Sequence, residues 1–145
     1  MCDSYHLTCH CGNKSADLFF GKMVLNQQAV LDLHCPECSS GHDPLQSDTV
    51  WDNDWMLTFD MAIVKSHAAT FGVNAGEITA EWIFDQGYIT WVGITPEDIA
   101  SRNREREELQ TLAKTDLRAY LAAMREWGIG REKRFSDQGW RKMRG

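Results

Sequence analysis

Apolar residues in the stretch 54–72, DWMLTFDMAIVKSHAATFG, recur at 55, 59 and 63 and again at 57, 61, 64, 68 and 71. That spacing predicts a helix with a broad apolar face, stopped where Gly72 can take the left-handed conformation. The Trp, Phe, Ile and Val of WMLTFDMAIV suit a strand as well, so a strand over that part is the second reading. Further along, TAEWIFDQG predicts a short helix ended by Gly87, and YITWVG, rich in β-branched and aromatic residues, a strand. TPEDIASRNREREELQTLAK has the start of a helix: Thr95 caps, Pro96 fits the first turn, and Glu97 and Asp98 suit its positive end. The middle of that helix, SRNREREE, carries no apolar residue, so it is solvated or faces a polar partner. In TDLRAYLAAMREWG, residues Leu117, Tyr120, Leu121, Met124 and Trp127 form one stripe that packs on the core or the preceding helix, with a partner-binding stripe as the second reading.

Nearer the start, SADLFFGKMVL and QAVLDLHC are short apolar segments separated by NQQ. Leu18 and Phe20 against Val30 and Leu33 predict a small β-hairpin, and SSGHDPLQSD reads as loop. Each apolar segment adjoins a cysteine pair: CHCG at 9–12 and CPEC at 35–38. In an extended segment residues two apart face the same way, so Cys9 and Cys11 can meet one ion while His10 points outward. Cys35 and Cys38 fit a tight turn in which both thiolates converge, and the residues between the pairs suffice for a hairpin that joins them. Four thiolates in a tetrahedron are a structural zinc set. His6, His34 or His42 could replace a cysteine, His6 for Cys9 before the others, and Cys2 is the natural spare.

The pattern C-x-C-G … C-P-E-C … H-D, from Cys9 to Asp43, resembles the two knuckles of zinc-ribbon proteins, with rubredoxin-like spacing in the second. Over the same residues, at most about 35 of the chain, it is also similar to the small zinc-bearing gamma subunit of acetone carboxylases. The first likeness implies a metal and a ribbon element; the second implies an accessory subunit. Iron in the same pocket, as in a rubredoxin, is the alternative to zinc, although the first pair has one intervening residue where rubredoxins have two. A thioredoxin-like dithiol would need CPEC to open a helix, and the loop-forming SSGHDPLQSD argues against it.

Composition sharpens the functional side. Of 145 residues, 43% are hydrophobic and 25% charged, as in an ordinary globular domain, and no apolar run is long enough to span a membrane. The N-terminus lacks a basic start and an apolar core of a signal peptide, so the expected compartment is the cytoplasm, where thiols bind metal rather than form disulfides. The net charge of −6 is unevenly spread: the last fifteen residues carry six basic and two acidic groups, and between Met23 and Ser101 the one basic residue is Lys65. That acidic body disfavours nucleic acid. Arg131, Arg134, Phe135, Trp140 and Arg141 in the basic arm are the candidate partner-binding residues, suited to an acidic protein surface or to a second copy of the chain. DNDW at 52–55 fails as a calcium loop, because its sixth position is Leu57 rather than glycine, and reads as a turn or helix start. No motif supplies catalytic residues.

The sequence thus predicts an α+β protein. A zinc ribbon at residues 1–45, a β-hairpin with two cysteine knuckles, is followed by a mainly helical body at 46–145 that ends in a basic arm, 131–145. The expected role is non-catalytic: an accessory or adaptor subunit that docks on a larger cytoplasmic enzyme complex or on itself, holding one structural zinc on Cys9, Cys11, Cys35 and Cys38. A rubredoxin-like iron electron carrier is the first alternative. A regulator that binds nucleic acid through the tail is the second.

Overall fold

The computed structural model describes residues 3–21 and 24–141; Cys2 and the last four residues of the basic arm lie outside them. Six strands occur among these residues: β1 (Asp3–Thr8), β2 (Ser15–Phe20), β3 (Val30–His34), β4 (Thr49–Asp52), β5 (Trp55–Phe59) and β6 (Ile89–Ile94). They form two antiparallel sheets, one ordered β1-β2-β6 and the other β3-β5-β4. The helices are α1 (Pro36–Ser39), α2 (Met61–Ser66), α3 (Ala68–Phe71), α4 (Ala80–Asp85), α5 (Pro96–Ala113) and α6 (Leu117–Asp137). The chain is α+β, with the cysteine cluster beside its N-terminal β-hairpin.

That hairpin pairs different strands from those expected. β2 pairs with β1 on one edge, Thr8 opposite Ser15, and with β6 on the other, Phe20 opposite Ile89. Leu18 and Phe20 therefore lie in one sheet, while Val30 and Leu33 lie in the other, where β3 pairs with β5. The reason is burial. Ala16, Leu18 and Phe20 are all fully buried, and a strand this enclosed takes a partner on each side to satisfy its backbone. Both sheets draw strands from either side of residue 45, so the ribbon and the body share their pairing and one continuous core.

In the stretch 54–72 the strand reading holds for the first half and the helical reading for the second. Trp55, Met56, Leu57 and Phe59 are all buried, with β5 as the central strand of its sheet. Asp60 then ends the strand: its carboxylate accepts from the backbone N–H groups of Ala62 and Ile63 and caps α2. Gly72 closes α3 with φ of 73°. The DNDW segment is the two-residue turn of the β4–β5 hairpin. Asn53 and Asp54 have φ of 50° and 66°, the left-handed pair that matches the twist of the flanking strands.

The sheets meet closely at β6. A methyl group on Gly93 would run into the ring of Trp55, so this position has room only for hydrogen. α5 starts as its sequence implies, with Thr95 and Asp98 capping each other's backbone N–H groups. Its apolar-free middle packs against polar partners of the same chain. Arg102 reaches Asp17 at 2.6 Å, and Glu105 accepts from Ser101 Oγ at 2.9 Å and from the indole of Trp127 in α6 at 2.6 Å. On α6 the predicted stripe divides: Tyr120, Met124 and Trp127 are half-buried, whereas Leu117 and Leu121 are exposed.

α6 also continues into the expected arm. It ends at Asp137, Gly139 adopts φ of 98°, and the N–H groups of Gly139 and Trp140 donate to the carbonyls of Ser136 and Phe135. This paired closure needs a left-handed residue and brings the side chains on either side of it together. Phe135 and Trp140 are buried accordingly.

Candidate metal centre

Two backbone turns build the centre. The β1–β2 hairpin turns through CHCG, held by Cys9 N–H donating to Lys14 O at 2.8 Å and Gly12 N–H to Cys9 O at 2.8 Å. This presents Cys9 and Cys11 on the inner side of the turn. The second turn is α1, a single helical turn with Cys35 at its N-cap, Pro36 in its first turn and Ser39 N–H returning to Cys35 O at 2.8 Å. One helical turn puts Cys35 and Cys38 on the same face. The two turns are tied across by Cys35 N–H donating to the Cys9 sulfur at 3.3 Å.

The four sulfurs of Cys9, Cys11, Cys35 and Cys38 all lie within 4.8 Å of one another, with Cys11 and Cys35 Sγ 3.7 Å apart. A tetrahedron with metal–sulfur bonds of about 2.3 Å has sulfur–sulfur edges of about 3.8 Å. The four thiols thus form a group of the right size to hold a metal ion. Cys9 and Cys35 are buried, and Cys11 is exposed.

Their electrostatics are those of thiols crowded around one anion. Burial alone would raise Cys9, but the backbone N–H groups of Cys35 and Cys11 and the thiols of Cys38 and Cys35 donate to it and hold it down at about 6. Cys38 is pushed up to about 12, first by donating to Cys9 and then by burial. Cys35 is raised, with burial the main cause. A cation placed among them would supply the charge that lets all four ionise.

None of the three histidines considered as a substitute ligand is part of this group, and His42 instead packs its ring against His34. His6 sits on β1 and bonds Asp17 of β2 at 2.9 Å. His34 belongs to a separate cluster with His10 and Asp32. Burial lowers the His34 pKa, neighbouring His10 and His42 lower it further, and Asp32 opposes them.

The five arm residues are used within the chain. Phe135 and Trp140 join the core, and Arg131 and Arg134 stack over the Phe135 ring, Arg131 also over Trp127. Arg141 donates its backbone N–H to buried Asp52 at 2.8 Å, its guanidinium to Trp51 O at 2.7 Å and to Glu81 at 3.2 and 2.7 Å. It also lies 4.6 Å from the Phe84 ring centroid. No pattern of apolar periodicity announces this docking; the pairing of Phe135 with Trp140 across a glycine is the available signal.

In comparisons with known proteins no family model, no curated protein and no solved structure matches the chain. Among the described residues no helix is long and apolar enough to cross a membrane.

Proposed function

We propose that the protein is a zinc-held accessory module that acts by contact rather than by catalysis. The carrying observation is the closed set of four sulfurs within 4.8 Å. An ion bound by four thiolates keeps no open position for a substrate, and the charge they donate quenches its Lewis acidity, so its work is to hold β1–β2 and α1 together. Zinc is the ion of choice because closed tetrahedral sets of four thiolates are its usual structural site. Leu117 and Leu121, one turn apart and exposed on α6, support a docking role, with a second copy of the chain as the partner.

Metal analysis of the purified protein after a wash with a weak chelator tests the centre. Colourless protein retaining one zinc per chain is the expected result. Red or brown protein containing iron would replace the structural role with electron transfer. Light scattering tests the contact role: a dimer that becomes monomeric in Leu121→Glu supports it, and a monomer at every concentration removes self-association.

A further inference from the structure

Beside the thiols lies a second group whose side chains belong to a different class of ligand. His10 Nε2 and Asp32 Oδ1 are 2.5 Å apart, Asp32 Oδ2 and His34 Nε2 are 3.9 Å apart, and one ligand atom from each residue lies within 4.8 Å of the others. The imidazoles stand in a row: His10 and His34 ring centroids are 4.9 Å apart, as are those of His34 and His42. Asp32 and His34 are two apart on β3, so they share a face. His10 arrives from the other side of the centre, on the turn between Cys9 and Cys11.

We propose that His10, Asp32 and His34 form a second site, which binds an exchangeable divalent transition-metal ion. Two imidazoles and one carboxylate suit zinc, cobalt, nickel and copper, and give a set of different character from four thiolates. Ions bound at about 2.0–2.1 Å separate neighbouring ligand atoms by about 3–3.5 Å, and the two spacings at Asp32 straddle that range. Small rotations of exposed side chains make up the difference, since His10 is largely exposed and Asp32 nearly half so. Three protein ligands leave further positions to water or to His42, whose ring is next in the row. The site is therefore open to solvent where the thiol site is closed.

The sequence gives the two sites a fixed order. His10 is flanked by two thiols of the first site and His34 adjoins a third, Cys35, so gathering the four sulfurs is what carries His10 onto the face of β3. Filling the thiol site assembles the second; losing it scatters His10 from Asp32 and His34. This rests on the thiol centre proposed above, and the test separates the two.

The probe is cobalt(II), added to the full-length protein after stripping and refolding with one equivalent of zinc. Binding is followed by isothermal titration and by the visible spectrum, in which a nitrogen–oxygen site absorbs weakly and a thiolate site strongly. The expected result is one weakly absorbing cobalt per chain, removed by a mild chelator that leaves the zinc. His10→Ala/His34→Ala should keep the zinc and bind cobalt at least tenfold more weakly; the retained zinc shows that this variant is folded. Asp32→Asn, which keeps the shape, should weaken cobalt in the same direction. Cys38→Ser should lose both ions. Zinc retained with no cobalt bound, or cobalt bound equally by the His10→Ala/His34→Ala variant, overturns the second site. Failure of the wild type to retain zinc overturns the thiol centre instead.

Discussion

Cys9 is buried and accepts a backbone N–H from Cys35, whereas Cys11 is exposed, so the two thiols of the first turn are not equivalent. Cys11→Ala removes one thiol of the proposed ligand set. Cys9→Ala removes another thiol of that set and also strands a buried N–H, which costs about 1–3 kcal/mol more. With zinc present, urea denaturation should order the proteins as wild type, Cys11→Ala, Cys9→Ala, and equal midpoints for the two variants would discount the N–H contact. Cys38→Ser leaves an incomplete thiol set. Its zinc affinity should fall by more than the about 10–100-fold that losing an outer-shell partner costs, and the turns at 9–12 and 35–38 should become more open to protease. Unchanged metal content would remove Cys38 from the centre. That these four cysteines cluster was readable from their pairing, although CHCG forms a turn where an extended segment was expected. The histidines were not: His10 and His34 meet only once strands from two sheets are in place.

Among the elements, α5 and α6 form a hairpin whose contact face includes polar groups. Glu105 accepts from Trp127 and Ser101, and these hydrogen bonds hold its carboxyl below the ordinary value of 4.5. A carboxylate lowered in the folded state stabilises the fold at pH above 4.5, and that contribution disappears as pH falls through the lower folded-state value. Glu105→Gln weakens a charge-assisted bond by about 1 kcal/mol, so its thermal midpoint at neutral pH should sit about 3 °C below wild type. The gap should close as the solution is acidified past the folded-state pKa. A gap that persists once the carboxyl is fully protonated in both states would mean that Glu105 is not the group responsible. Helices were legible where caps and glycines mark them, as at Thr95 and Gly72. Strand pairing was less so, because β2 meets β6 through a contact remote in sequence, and no local pattern names the partner. β5 shows the same limit: an enclosed strand is apolar on both faces, and such a run imitates a helix until its neighbours are known.

Across the whole molecule the C-terminal segment decides whether the chain ends in a free basic arm or a strap. Charge alone favoured an arm, since six of its residues are basic and the body is acidic. The same opposition of charge draws Arg141 onto Glu81 and Asp85, and the turn at Gly139 delivers Trp140 into the core beside β4 and α4. Asp52 is almost fully buried there, and burial raises its pKa while the N–H and charge of Arg141 oppose the rise. Such a carboxylate is costly without its partner. Trp140→Ala should lower unfolding free energy by about 3–5 kcal/mol, as for other buried aromatics. Arg141→Ala keeps its backbone donor to Asp52 but loses the Glu81 fork, and because that pair is partly exposed the expected loss is about 1 kcal/mol. A chain ending at residue 139 loses both and should be at least as destabilised as Trp140→Ala. Urea unfolding followed by circular dichroism measures all three. If the shortened chain unfolds at the wild-type midpoint, the segment is an arm after all, free to bind elsewhere, and the closure of β4 against α4 must come from the sheets alone.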